Sequence, residues 1–133
     1  MAFKINAVYA GDDQVELTHG LSGSRLLTDL PPDNGGRGRT FSPTDLAAAS
    51  VASCVLSIMA KVAAREGIKF EGAAIELEKT MAEGPRRIAA LTGTVRLPAG
   101  LTPLQREKLM ACVKACPVSR SLHPDLKLEL KCL

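Results

Sequence analysis

The chain has 133 residues and a formal net charge of +3; this length suits one compact domain, and the charge is too small to indicate nucleic-acid binding. It contains no Trp, one Tyr and three Phe, so its core must be built mainly from aliphatic side chains and Ala. Because such side chains each bury little area, we expect the protein to gain further burial by forming a homodimer.

The N-terminal part of the chain alternates apolar and polar residues, a pattern typical of strands. It predicts three strands joined by tight turns, at residues 3–9, 14–19 and 25–30. The segment 31–39 that follows is rich in Pro, Gly and Asn. Such residues favour turns and unusual backbone angles, so this segment is predicted to be the one long loop of the chain.

A long helix is predicted after this loop. Ser42 is a suitable N-cap, Pro43 fits the first helical position, and Asp45 lies where a carboxylate meets the exposed amides. The helical pattern ends near Gly67. Its apolar stretch, residues 46–60, contains three Ser and is shorter than the about 20 residues of a membrane span. We interpret it as the buried helix of a cytoplasmic protein.

The remaining chain predicts two strands, a helix and a final strand. The predicted bounds are 70–80 and 86–97 for the two strands, Thr102 to Cys116 for the helix, and 125–131 for the last strand. Pro117 interrupts the helix just after Cys116. Strands that alternate with single helices in this way favour an α+β fold with a mainly antiparallel sheet.

Reactive thiols are a more natural use of the four cysteines than structural disulfides, since no signal peptide is apparent. The cysteines are Cys54, Cys112, Cys116 and Cys132. On the long helix, Cys54 by itself is most simply a small buried hydrophobe. Cys116 ends a helix beside a proline and could move to meet another thiol. A structural zinc site that uses Cys112 and Cys116 is a weaker alternative, because the chain offers no fuller ligand set at short spacing.

A cysteine that attacks a peroxide must be ionised at neutral pH, although the pKa of a free thiol is about 8.5. Cys54 lies too far along its helix to gain much from the helix dipole, so it needs a cation from elsewhere in the fold. Three arginines precede the helix: Arg25, Arg37 and Arg39. Each is otherwise a solvated surface charge; Arg25 is the first choice as the activating residue, and Arg39 is the second.

Two segments of the chain resemble the signature segments of the OsmC/Ohr family. Residues 41–54, Phe-Ser-Pro-Thr-Asp-Leu-Ala-Ala-Ala-Ser-Val-Ala-Ser-Cys, are similar to the helix on which a Pro and an acid precede small residues and the peroxidatic Cys. Residues 115–122, Ala-Cys-Pro-Val-Ser-Arg-Ser-Leu, are similar to the second signature. Residues 29–32 and the Gly35-Gly36 pair resemble the OsmC-like branch. The resemblance covers nearly the whole chain, so we expect residues 1–133 to form a single OsmC-like domain.

The resemblance implies an α+β fold of mainly antiparallel sheets around a long central helix, assembled as an intertwined homodimer with active sites at the interface. It also implies that Cys54 attacks an organic hydroperoxide, becomes a sulfenic acid and forms a disulfide with Cys116. An external dithiol of the lipoyl or thioredoxin type would then reduce this disulfide. No metal, bound cofactor, nucleic acid or membrane partner is expected, and the implied role is defence against oxidative or osmotic stress.

The chain departs from the family pattern at one position. Characterised peroxidase branches carry a Glu that orients the activating Arg, and Thr44 occupies that place here. The neighbouring Asp45 could replace it, although one residue along a helix turns a side chain by about 100°. This departure leaves a second hypothesis open, in which the protein is an OsmC-fold redox or ligand-binding module with little peroxidase turnover.

Overall fold

The computed structural model describes residues 1–133 and contains six strands, four α-helices and one short 3-10 helix (Pro32–Asn34) within the predicted loop. The strands are β1 (Ile5–Gly11), β2 (Gln14–His19), β3 (Arg25–Asp29), β4 (Ala74–Ala82), β5 (Arg87–Arg96) and β6 (Lys127–Cys132). The helices are α1 (Pro43–Arg65), α2 (Pro103–Met110), α3 (Cys112–Ala115) and α4 (Pro117–Arg120). The chain divides into two compact units, Met1–Ala47 and Ala48–Leu133, which we call the N-terminal and C-terminal units.

Each unit contains one three-stranded sheet. In the N-terminal unit, β2 lies between β1 and β3 and is antiparallel to both. In the C-terminal unit, β5 is antiparallel to β4 and parallel to β6. The predicted α+β class with mainly antiparallel sheets is therefore confirmed, with one parallel pair that the pattern of the sequence did not indicate.

A tight turn joins β1 to β2, as the sequence predicts. Asp12 and Asp13 in this turn both have positive φ angles, 55° and 65°, as the central residues of a type I′ hairpin turn require. The Asp12 carboxylate accepts a hydrogen bond from Arg39 Nη1 at 2.9 Å and also pairs with Arg37. The turn is thus tied to the long loop that precedes α1.

Buried polar contacts organise this loop. The Asp29 side chain, which is fully buried, accepts hydrogen bonds from Arg39 Nε at 2.8 Å, from the Arg39 backbone N–H at 2.9 Å and from the Leu30 N–H at 2.9 Å. The Arg39 hydrogen bonds hold the pKa of Asp29 well below its usual range. At Gly36, a Cβ atom would lie 2.0 Å from the Leu30 carbonyl oxygen, so the path of the loop requires glycine at this position.

The N-terminal unit buries very little apolar surface. Its buried residues are Thr28, Asp29 and Ser42, and all three are polar. Most of its large apolar side chains are exposed instead: Met1, Phe3, Ile5, Val8, Tyr9, Leu21, Leu26, Leu27 and Phe41. Hydrogen bonds and ion pairs therefore hold this unit together, while its sheet presents hydrocarbon to its surroundings.

Helix α1 begins with a reciprocal cap. The Asp45 N–H donates to Ser42 Oγ at 3.1 Å, and the Ser42 N–H donates to Asp45 Oδ2 at 2.9 Å, which is the pattern of a capping box. The predicted start of the helix is thereby confirmed, and so is its end, since α1 stops at Arg65 and Gly67 follows with a φ of 67°.

One stripe of α1 provides the core of the C-terminal unit. Its buried residues recur every three or four positions, as expected for one helix face; they are Ala48, Val51, Val55, Met59 and Ala63. They form a single cluster with Leu91 and Val95 of β5 and with Leu109 of α2. Cys112 and Cys116 belong to the same cluster, so this core also positions the two thiols.

By length and composition alone, α1 is also long and apolar enough to cross a membrane. One such helix is weak evidence, because the core helices of soluble proteins pass the same test. Here the buried stripe of α1 packs against the other elements of the C-terminal unit.

Two predicted bounds in the C-terminal unit need correction. Strand β4 begins at Ala74 rather than at residue 70, since Phe70–Ala73 forms a turn in which the Ala73 N–H donates to the Phe70 carbonyl at 3.1 Å. The helix predicted from Thr102 to Cys116 consists of α2 and α3, interrupted at Ala111. Ala111 keeps right-handed helical angles, so the interruption is slight.

Candidate active site

Cys116 lies at a sharp change of backbone direction between α3 and α4. Its backbone is extended, with φ −72° and ψ 150°, because a residue that precedes proline is disfavoured in the helical region. Pro117 then begins α4, which makes Cys116 the N-cap residue of that helix. The Cys116 side chain is fully buried, and its sulfur accepts a hydrogen bond from the Ser119 N–H at 3.3 Å.

The Cys54 thiol, on α1, lies close enough to the side chain of Cys116 for each thiol to shift the pKa of the other. The Val118 N–H lies near both sulfurs and acts to lower the pKa of each. Both cysteines are free thiols, but they differ in access, since Cys54 is half-buried and Cys116 is fully buried. The fold therefore brings together two thiols that are far apart in sequence, within reach of shared backbone donors.

The surroundings shift the pKa values of the two thiols in opposite directions. Burial raises the pKa of Cys54, and its contact with Cys116 adds to the increase against the opposing effect of the Val118 N–H. Burial also acts to raise the pKa of Cys116, but the Ser119 side chain and N–H, the Cys54 thiol and the Val118 N–H outweigh it and lower that pKa. Because the two thiols interact, they titrate as a pair.

Cys54 has no cation among the groups that shift its pKa. Of the three candidate arginines, Arg39 is bound to the carboxylates of Asp29 and Asp12, and Arg37 is paired with Asp12. The Arg25 side chain is 69% exposed, and its Nη1 lies 3.9 Å from Glu16 Oε1. Arg25 is therefore the least firmly held of the three, and its assignment as the activating residue stays a prediction.

Asp45 has a structural role in the observed geometry, as the acidic member of the α1 capping box. Beside it, the Thr44 hydroxyl lies 3.2 Å from Ser42 Oγ. An additional role of Asp45 in orienting an arginine stays a prediction.

The other two cysteines lie outside this thiol pair. Cys112 is buried, its sulfur lies 3.8 Å from the Lys108 carbonyl, and burial raises its pKa. Cys132, near the end of the edge strand β6, is half-buried and lies 3.0 Å from Arg106 Nη2. No group of three or more His, Cys, Asp or Glu side chains is arranged to hold a metal ion, so the zinc alternative lacks a ligand set.

Sequence analysis missed Val118 and Ser119 as parts of this site. A signal for them was present, because a proline at the first helical position marks the residue before it as the N-cap. An N-cap side chain accepts hydrogen bonds from the second and third residues of its helix, which here are Val118 and Ser119. The Cys116-Pro117 pair therefore indicated donors to the sulfur before the fold was known.

The two sheets, the long helix and the paired sulfurs define an α+β protein with a two-thiol site. Residues 35–131 match the family model described as OsmC-like protein. Because the match covers most of the chain, the protein belongs to the OsmC family, as the two signature segments predicted.

Comparison with solved structures agrees with this assignment. A Psychrobacter arcticus protein, described as an osmotic stress induced and detoxification response protein, is 33% identical with a TM-score of 0.93; the match covers 97% of this chain and 94% of that one. The organic hydroperoxide resistance protein OsmC of Legionella pneumophila is 25% identical with a TM-score of 0.75, over 99% and 96% of the two chains. OhrB of Bacillus subtilis is 20% identical with a TM-score of 0.73, over 100% and 98%, and so supports the fold alone. A search of curated proteins found no match.

Proposed function

We propose that this protein reduces organic hydroperoxides in defence against oxidative or osmotic stress, with Cys54 as the attacking thiol and Cys116 as the resolving thiol. The observation that carries the proposal is the proximity of the Cys54 and Cys116 side chains in a member of the OsmC family. The hydroperoxide resistance and detoxification roles named for the Legionella and Psychrobacter relatives support the substrate class.

The proposed reaction has two oxidative steps. The Cys54 thiolate attacks the distal oxygen of the hydroperoxide, the O–O bond breaks, and the alkoxide takes a proton and leaves as an alcohol. Cys54 is then a sulfenic acid. The Cys116 thiolate attacks the Cys54 sulfur, the S–O bond breaks, and hydroxide leaves and is protonated to water. An external dithiol of the lipoyl or thioredoxin type supplies the two electrons that restore both thiols.

The difference in exposure between the two cysteines supports this assignment of roles. Cys116 is fully buried, whereas Cys54 is half-buried, so a bulky alkyl hydroperoxide reaches Cys54 more readily. Ionisation favours Cys116 in the isolated chain, but a pair that has lost one proton carries one charge that can lie on either sulfur. A cation beside Cys54 would draw the charge to it, and we propose Arg25 for this task, with Asp45 to orient it.

We also propose that the protein acts as a cytoplasmic homodimer. The sheet of the N-terminal unit exposes a set of large apolar side chains, and a second copy of the chain would cover them. Exposed apolar surface of this kind commonly marks a protein–protein interface.

Single-turnover oxidation by cumene hydroperoxide tests the roles of the two cysteines. We expect the native protein to lose two thiols per chain, and Cys116→Ser to lose one thiol and accumulate a sulfenic acid at Cys54. Cys54→Ser should react slowly, whereas Cys132→Ser, the matched control, should behave like the native protein. Rapid thiol loss in Cys54→Ser would exclude Cys54 as the attacking residue.

The activating arginine is tested by the same reaction. Arg25→Ala should slow the oxidation of Cys54 by about tenfold or more, the effect of losing one charge interaction worth more than about 1.4 kcal/mol. Arg37→Ala, a matched loss of charge from the same unit, should have little effect. Equal rates for the two variants would reject Arg25.

A second candidate function is a redox or ligand-binding module with little turnover. The raised pKa of Cys54 and the presence of Thr44 favour it. It predicts one slow, stoichiometric oxidation even with an excess of dihydrolipoamide. Sustained hydroperoxide consumption under those conditions would reject it.

A further inference from the structure

We propose that the Cys54–Cys116 disulfide is opened from one side only: a reducing thiolate attacks the Cys54 sulfur and expels Cys116, and Ser119 is the positioning residue that receives the departing sulfur. The inference rests on the proposed function only in taking this disulfide as the oxidised state. It assigns a direction to the reduction and a role to a residue outside the thiol pair.

The first argument is access. An attacking thiolate must reach the sulfur that it joins. Cys116 has no exposed surface, whereas Cys54 is half-buried. The reductant therefore reaches the sulfur of Cys54, on α1, first.

The second argument is the stabilisation of the leaving sulfur. The Ser119 N–H donates to Cys116 Sγ at 3.3 Å, and Ser119 Oγ lies 2.9 Å from the same sulfur. The Val118 N–H also acts to lower the pKa of this sulfur. A thiol of lower pKa leaves faster, and these contacts lower the pKa of Cys116 while burial raises that of Cys54.

The Ser119 hydroxyl can form a hydrogen bond both when Cys116 is uncharged and when it carries a negative charge. It has one proton and two acceptor lone pairs, and it lies 2.6 Å from the Val113 carbonyl oxygen, to which it donates. When Cys116 is uncharged, this hydrogen bond satisfies the hydroxyl. When negative charge arrives on Cys116, rotation of the hydroxyl turns the same proton toward the sulfur. Ser119 thus supplies a donor at the moment when the bond between the sulfurs breaks.

The electrons balance without any further reactant. The reductant thiolate forms a new S–S bond with Cys54, the Cys54–Cys116 bond breaks, and its electron pair stays on Cys116. With a dithiol, the second thiolate attacks the reductant's own sulfur in the mixed disulfide and releases Cys54 as a thiolate. Two electrons and two protons then restore the thiol pair, and the reductant leaves as a disulfide.

The direction of attack can be read by peptide mapping. The full-length Cys132→Ser protein would first be oxidised with diamide to form the disulfide. A brief exposure to glutathione would then reduce part of this disulfide, and acid would stop the reaction. The protein would finally be alkylated and digested with trypsin. The sequence places Cys54 on peptide 40–61, Cys112 on peptide 109–114 and Cys116 on peptide 115–120. We expect glutathione on peptide 40–61 and the alkyl label on peptide 115–120. Glutathione mainly on peptide 115–120 would overturn the proposal.

Because diamide forms the disulfide without a hydroperoxide, this result is separate from the proposed function. Glutathione on Cys54 in a protein that fails to reduce cumene hydroperoxide would reject the peroxidase and leave the direction of opening intact. A failure of diamide to join the two sulfurs would overturn both.

The role of Ser119 is tested with two variants of nearly equal shape, Ser119→Thr and Ser119→Val, of which only the first keeps the hydroxyl. We expect Ser119→Val to slow the opening by glutathione roughly threefold to tenfold, and Ser119→Thr to restore most of the native rate. Ser121→Ala, which removes a hydroxyl bound to the Pro117 carbonyl, is the control and should not change the rate. Equal slowing by the Thr and Val variants would show a purely steric role and reject the hydroxyl.

Discussion

The two units of this chain are stabilised by different kinds of interaction. The N-terminal unit buries three residues, all polar, and leaves most of its large apolar side chains exposed. The C-terminal unit buries a continuous apolar cluster centred on α1 and β5. The thiol pair therefore belongs to the unit with its own apolar core, whereas the N-terminal unit depends on directed polar contacts and leaves apolar surface exposed.

The largest effect is expected in the C-terminal core. Met59 is fully buried on the inner face of α1, so Met59→Ala should lower the free energy of unfolding by about 2–5 kcal/mol through lost burial and a residual cavity. Urea denaturation followed by circular dichroism would measure this change. Met59→Leu is the matched control and should cost less than about 1.5 kcal/mol. A loss below that value for Met59→Ala would mean that the core is not closely packed.

A smaller, pH-dependent effect is expected in the N-terminal unit. Arg39→Gln removes the guanidinium that holds the pKa of the buried Asp29 below its usual range. A lowered carboxyl pKa contributes stability that is complete above the unfolded value, near pH 4, and is lost as the pH falls through the folded value. The decrease in melting temperature caused by Arg39→Gln should therefore be largest at neutral pH and should shrink below about pH 4.

Thermal melts of the native protein and Arg39→Gln between pH 7 and pH 3 would measure this dependence. Asp29→Asn is the control: it removes the titrating carboxyl, and its own melting temperature should vary less with acid than that of the native protein. A constant difference between Arg39→Gln and the native protein across this range would contradict the ionic account.

The smallest effect on the stability of a single chain is expected on the exposed sheet. Val8 is 64% exposed on β1, so Val8→Lys should change the free energy of unfolding of the monomer by no more than about 0.5 kcal/mol. The same substitution should weaken self-association, as sedimentation velocity over a concentration series would show. Ala99→Lys, which adds the same charge to an exposed loop of the C-terminal unit, should leave association unchanged. Unaltered association of Val8→Lys would place the interface elsewhere.

The sequence predicted those elements whose signals are local. Strand β2 has the predicted bounds, and α1 lies within two residues of its predicted ends because Ser42 and Gly67 mark them. The parallel pairing of β5 with β6 was not predictable, since it depends on strand order rather than on the pattern of either strand. Strand β4 was predicted to begin too early because Phe70, a residue type common in strands, opens a turn here.

The site was only partly predictable. The spacing of the cysteines in the sequence did not indicate that Cys54 and Cys116 lie together. The resemblance to OsmC proteins implied this pairing. The opposite directions of their pKa shifts depend on burial and on donors from Val118 and Ser119, and burial is decided by packing around the whole cluster. No local sequence pattern identifies the cation that is expected beside Cys54. The role of Arg25 as the activating residue therefore stays a prediction.

The close approach of Gly36 to the Leu30 carbonyl limits how this position can change during evolution. Where the chain passes the Leu30 carbonyl, hydrogen is the only side chain that fits. A lineage that replaces this residue must reroute the segment that carries Arg37 and Arg39. A side chain larger than hydrogen at position 36 therefore marks a relative whose loop follows a different path.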